Sequence, residues 1–217
     1  MKITPKDIKK AEKRDRILRS AIKIFAKKGF YNARIAEIAR EAGVADGTIY
    51  LYFRSKDEIL ITIFEETVGE LIRDFRKKLQ AIQNPIDQIC EFARLHLEIV
   101  RTNPDLASVL QLELRQSNKF IKEYRGSSLN DYLNLIGDII RYGQEASVFR
   151  EDIHPGIAKR MLFGALDEIS TLFVLLKDRT FDLAHSARQI TSIFLYGIVK
   201  EKASEAISGE GRSLHEK

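Results

Sequence analysis

Arg34, Ala45, Gly47, Thr48, Tyr50, Leu51, Tyr52 and Lys56 fall within one short stretch of this 217-residue chain. Their guanidinium, hydroxyl, phenol and ammonium groups suit phosphate oxygens and base edges, so the stretch reads as a set of contacts to a nucleic-acid duplex. Other chemistry finds little material. His96, His154, His185 and His215 are scattered, without HExxH or Cys/His spacing for a metal ion. There is no glycine-rich phosphate loop and no nucleophile elbow, and Asp167 and Glu168, adjacent on a helix, point apart rather than pairing. Neither an enzyme nor a prosthetic group is expected.

The elements that would position these residues follow from spacing. Ile35, Ile38, Ala39 and Ala42 recur at three-and-four intervals, the pattern of a short helix with one apolar face. Gly43 ends it, because glycine enters positive φ without steric cost, and Val44 plugs the angle that follows. Asp46 is placed to cap the next helix, in which Ile49 and Phe53 turn inward while Gly47, Thr48, Leu51 and Tyr52 face the groove or the phosphates. Tyr50 suits either side. Ile35 to Phe53 therefore reads as a helix-turn-helix. A supporting helix precedes it, with Ile17, Leu18, Ala21, Ile22, Phe25 and Ala26 on one face and Gly29 as its stop. Behind it, Ser55 caps a helix that begins at Lys56, sets that lysine beside the DNA backbone and runs to about Gln80.

Charge is distributed to match. Residues 1–56 hold 15 Lys+Arg against 6 Asp+Glu, whereas the whole chain is only +5, so the remainder is net −4. Cation is concentrated where phosphate contacts would form. Residues 1–12 read as a flexible arm, and the lysine run from Lys2 to Lys13 as an ordinary solvated surface.

The layout resembles the TetR family of bacterial transcriptional regulators, on the strength of Gly43-Val44, of Tyr50-Leu51-Tyr52-Phe53 and of the following Lys56. Many members place Ser or Thr where this chain has Arg34 and Ala45; at Arg34 the change exchanges a hydroxyl-to-phosphate bond for a charge-assisted one. The resemblance implies an all-α protein, a homodimer and double-stranded palindromic operator DNA as partner. The runs VADGTIYLYF (Val44 to Phe53) and QLELRQSN (Gln111 to Asn118) are similar to the branch of the family that represses fatty-acid degradation in Gram-positive bacteria. That similarity implies a long-chain acyl-CoA as the effector that releases DNA. The alternatives are a TetR-type regulator of another hydrophobic compound or drug, and a ligand-free protein that organises chromosomes.

Residues 57–203 read as a ligand-binding and dimerisation domain, giving about nine helices in all with the N-terminal module, and 204–217 as a disordered tail. Prolines and caps predict helices of about 86–101, 104–116, 119–146, 155–177 and 183–203, and no strands. An acyl-CoA site needs an apolar tunnel and a cationic mouth. Candidates for the tunnel are Leu106, Val109, Leu110, Leu114, Phe120, Phe149, Phe163 and Leu166; for the mouth, Arg101, Arg115, Lys119, Arg141 or Arg160. Arg115 is the sharpest of these, weighed equally against a salt bridge to Glu113 or Glu168. The last two helices, one with Met161, Leu162, Ala165, Leu166, Ile169, Leu172, Phe173 and Leu176, the other with Leu183, Ile190, Ile193, Phe194, Gly197 and Ile198, carry more apolar surface than one core requires and predict an intersubunit four-helix bundle. Cys90 is expected as a small buried hydrophobe. With a polar N-terminus and no apolar run near the roughly 20 residues that span a bilayer, the expected location is the cytoplasm.

Overall fold

In the computed structural model, residues 4–114, 127–176 and 182–199 are described. Arg115, Lys119 and Phe120, much of the first part of the expected 119–146 helix, and the expected tail lie outside the described residues. Two compact units emerge, one of residues 1–69 with 102–126 and one of residues 70–101 with 127–217.

The first unit starts with a helix where the sequence suggested an arm. Thr4 Oγ1 accepts the Asp7 N–H at 3.3 Å, the Asp7 carboxylate accepts the Thr4 N–H at 3.0 Å, and Pro5 occupies the first helical position. This reciprocal cap satisfies donors that would otherwise be orphaned, so α1 spans Pro5–Lys28 and the expected arm is helical from Pro5 onward. Ile17, Leu18, Ala21 and Phe25 form its buried face. Gly29, at φ +77°, closes the helix by donating to the Phe25 carbonyl.

α2 (Ile35–Glu41) ends before Gly43, at φ +63°, and α3 (Asp46–Ile49) follows. Asp46 does not cap α3: Ala45 holds the cap position, without a side-chain bond, and Asp46 lies one residue further in. There its negative charge falls in the first turn, where it complements the positive end of the helix dipole. α4 (Lys56–Leu79) is capped by Ser55, whose Oγ accepts the Glu58 N–H at 3.1 Å. α5 (Pro85–Thr102) leads to α6 (Pro104–Ser108), which Asn103 caps through the Leu106 N–H. The single helix expected over 104–116 changes winding at Val109 into a π-helical turn, Val109–Glu113. That turn buries Val109, Gln111 and Glu113 together. α6 and the turn pack on α1, so a segment distant in sequence completes the N-terminal module.

In the second unit, α7 (Ser128–Glu145), α8 (Pro155–Leu175) and α9 (Leu183–Ile198) pack in succession. His154 Nδ1 caps α8 and Asp182 caps α9. After α7, Phe149 folds back so closely that a Cβ on Gly143 would stand 2.1 Å from its ring. Next to it, Arg150 N–H donates to the Ile198 carbonyl at 2.8 Å in an isolated antiparallel bridge; no strand occurs among the described residues. Phe75, Phe92, His96, Tyr132 and Phe163 form an aromatic core. Cys90, expected inside, is exposed. The core face of α5 is set by Ile89, Phe92, Ala93 and His96, and Cys90 falls on the other side of that spacing.

Candidate nucleic-acid interface

Ile49 and Phe53 are buried at 0% and 2% exposure, and a Phe53 N–H bond to the Ile49 carbonyl sets them one turn apart. This inward pair turns the intervening residues out. Tyr50 is 58% and Leu51 78% exposed, Ala45 and Gly47 are exposed, and Thr48 and Tyr52 are half-buried. The exposed Leu51 stands between Tyr50 and Tyr52, and its methyl groups beside the phenols suit apolar and hydrogen-bonding contacts in a DNA groove. Arg34 is exposed at the start of α2, where its backbone N–H donates to the Glu37 carboxylate at 3.1 Å. Lys28 also grips that carboxylate, and these two donors hold it below the usual carboxylate range.

Lys56 is placed differently from its expected position beside the backbone of DNA. Its Nζ donates to the carbonyls of Phe30, Tyr31 and Ala33 at 2.5, 3.1 and 2.9 Å and lies 4.6 Å from the Phe30 ring centroid. An ammonium has three N–H donors, and all three are used within the protein. Burial pushes its pKa below the ordinary lysine value.

Glu113 holds the same turn from its amide side. Its carboxylate, 6% exposed, accepts the Phe30 N–H at 2.5 Å and packs 3.5 Å from where a Gly29 Cβ would be. The turn between α1 and α2 is thus clamped by an ammonium on its carbonyls and a carboxylate on its amide. By its place in the sequence Glu113 stands only as a possible partner of Arg115. The available signal was a lone carboxylate inside the apolar run Leu110 to Leu114. At the other end of the module, Arg14 bonds Glu66 at 2.5 Å and lies 5.4 Å above the Phe53 ring, bracing the end of the reading segment.

The ligand candidates divide between the units. Leu106, Val109, Leu110 and Leu114 belong to the first; Phe149, Phe163 and Leu166 belong to the second. Val109, Leu114, Phe149 and Leu166 are buried core residues. Phe163 packs edge-on to His96, whose Nδ1 lies 2.8 Å from the Tyr132 hydroxyl. Burial pushes the His96 pKa down to about 4, against a smaller opposing pull from Asp167, and pushes the Tyr132 phenol up. Among the mouth cations, Arg101 forms a two-bond pair with Glu98, Arg141 pairs with Asp138, and Arg160 donates to the Gly156 carbonyl. No cluster of potential metal ligands occurs among the described residues.

A short helix, a positive-φ glycine turn and a second helix with an outward aromatic face, braced by α1, define a DNA-binding helix-turn-helix module. Residues 17–63 match the bacterial regulatory proteins of the tetR family, and residues 64–197 match the C-terminal region of YsiA-like proteins. The chain belongs to the TetR family and is a DNA-binding transcriptional regulator. It is 32% identical over 182 residues to the fatty acid metabolism regulator protein of Bacillus subtilis, covering 84% of this chain and 93% of that protein. The fatty acid degradation regulator FadR from Bacillus halodurans superposes with a TM-score of 0.77 at 34% identity, over 83% of this chain and 97% of that one. FadR from Bacillus subtilis in complex with stearoyl-CoA gives 0.79 at 31% identity, over 84% and 98%.

Proposed function

We propose that this protein is a homodimeric repressor of fatty-acid-degradation genes that binds palindromic operator DNA and is released by long-chain acyl-CoA. The observation that carries this reading is the extent of its likeness to a fatty acid metabolism regulator. That likeness spans reading module and body alike, and a neighbour of the same fold is solved with stearoyl-CoA.

The dimer is supported by a face of the second unit that one subunit leaves uncovered. Ile157, Met161, Ile193 and Tyr196 are 62%, 65%, 73% and 56% exposed. Ile157, Met161 and Ile193 line an apolar cleft of about 500 Å³ between α8 and α9. A second copy applying the same face would cover it in an isologous four-helix bundle. The contacts assigned to operator DNA are Arg34, Ala45, Gly47, Thr48, Tyr50, Leu51 and Tyr52, with Lys56 acting through the turn it holds.

An acyl chain of twelve or more methylenes, at about 0.8 kcal/mol each, supplies enough gross energy for the roughly 5 kcal/mol of differential affinity that a near-complete switch requires. Arg115 is assigned to the ligand's phosphate or thioester end, and Arg115→Ala should then weaken acyl-CoA binding and induction.

The test is anisotropy of a palindromic fragment from the protein's own upstream region at fixed salt. Palmitoyl-CoA should release the DNA, with potency rising with acyl length, while free palmitate and coenzyme A should not. DNA binding that none of the three reverses would remove the acyl-CoA assignment and favour a different hydrophobic effector.

A further inference from the structure

α1 begins well before the core it serves. Every residue from Pro5 to Glu12 is exposed, Lys13 and Arg14 are half-buried, and the first buried side chain is Ile17, so the first two turns of α1 extend beyond the packed part of the module. On this extension Lys6, Lys9, Lys10 and Lys13 recur at three-and-four spacing and form one stripe. The next position in the series, Ile17, is 0% exposed, so the stripe continues the face that α1 turns toward the module. Glu12 and Asp15 fall on other sides of the helix, and Asp7 is engaged as a cap by Thr4. None of the four lysines has a carboxylate within ion-pair distance among the described residues.

Such an arrangement works against the helix that carries it. Like charges three and four residues apart repel, and cations near a helix N-terminus oppose its dipole. The capping box at Thr4 and Pro5 at the first helical position offset that cost. A surface needed only for solubility would intersperse signs rather than align one sign on one face. The inner end of the stripe also has a defined place: the neighbouring Arg14 lies over Phe53, the residue after Tyr52. From there the stripe runs about 10 Å outward along the helix.

We propose that this lysine face of α1 is a second DNA-contacting surface, seated on phosphates that flank the segment read by α3. A duplex presents one negative charge per about 1.7 Å of axis, so a line of cations of this length meets several phosphates at once. The inference rests on operator binding and is independent of the effector.

The test uses full-length protein and the variant Lys6→Gln/Lys9→Gln/Lys10→Gln/Lys13→Gln. Both are titrated against the palindrome alone, the palindrome with about six base pairs added at each end, and a mixed-sequence duplex of the longer length, each over a range of salt. Wild type should gain affinity on the extended fragment, and its log K against log[salt] slope should steepen by about 0.9 for each added phosphate contact. The variant should bind the two palindromic fragments equally, at least about tenfold more weakly than wild type on the longer one, and should show a shallower slope on the mixed duplex as well. Its helix content and Tm should be unchanged or raised, because only exposed or half-buried side chains are altered. A variant with wild-type affinity and slope on all three duplexes would overturn the proposal.

Discussion

The Glu113 carboxylate accepts the Phe30 N–H at 2.5 Å, joining a π-helical turn to the loop between the first two helices across 83 residues of chain. The bond is buried, so its loss leaves an amide without a partner. Glu113→Ala should cost about 1–3 kcal/mol in urea unfolding and also weaken operator binding, because α2 starts from that loop. Glu113→Gln, whose amide oxygen still accepts the N–H, should recover most of both. Equal effects from the two variants would mean that charge, and not the hydrogen bond, is what the turn requires.

Lys56 separates a positioning role from a phosphate contact. Lys56→Met leaves three carbonyls without their ammonium and should destabilise the protein by about 1–3 kcal/mol. The salt dependence of operator affinity should be unchanged. A lysine that touched phosphate would reduce that slope by about 1 on removal.

His96 predicts a stability change in a defined pH window. Its folded pKa of about 4 lies below the unfolded 6.5, so the unfolded chain takes up the proton first. Stability is intact above pH 6.5 and falls as pH drops from 6.5 toward 4, by about 2 kcal/mol between pH 7 and 5. The surface carboxylates with lowered pKa, Asp7, Glu37, Glu91, Glu98 and Asp152, keep their stabilising contribution throughout the interval from pH 7 to 5 and lose it only as pH falls through and below their ordinary values of 3.8 and 4.5. His96→Gln, whose amide can donate to or accept from the Tyr132 hydroxyl but does not titrate, should flatten the profile between pH 7 and 5 in equilibrium urea melts.

Gly143→Ala should destabilise by about 2–3 kcal/mol. The added methyl would stand 2.1 Å from the Phe149 ring, which is buried at 1% exposure and cannot swing aside. The gain of about 1 kcal/mol in helix propensity does not outweigh that overlap. Combining it with Phe149→Leu should restore part of the loss in thermal melts.

Met161→Glu and Ile193→Glu place charge at exposed positions of the α8–α9 face. Each should leave the fold of a subunit intact and shift sedimentation to a monomer. Operator affinity should fall by roughly tenfold or more as two-site binding becomes one-site. A stable dimer in both variants would move the interface elsewhere.

Much of the reading module was legible in the chain because its determinants are local. Gly43 at positive φ, Ser55 as a cap, and Ile49 and Phe53 one turn apart are decided by residues a few positions away. Helix starts at Pro85, Pro104 and Pro155 followed for the same reason. The errors were also local in form. Asp46 lies one residue past the cap, and the lysine-rich start of α1 reads as an arm by charge alone although Thr4 and Asp7 form the pair that starts a helix there.

Long-range features were not available from spacing. Helical periodicity places Lys56 at an accessible helix start, but only the folded loop supplies the three carbonyls that capture its Nζ. Likewise the run Leu110 to Leu114 identifies a buried strip, yet the change of winding at Val109 and the approach of Phe30 determine what the Glu113 carboxylate meets. His96 and Tyr132, 36 residues apart, become a buried pair only when α5 and α7 close around the same aromatic core. The sequence alone determined which helices form and which faces are apolar, because those depend on backbone propensity and neighbours within a turn or two. Tertiary structure decided the partner of each buried polar group, because a charge or hydroxyl removed from water must find its bond wherever the packing brings one.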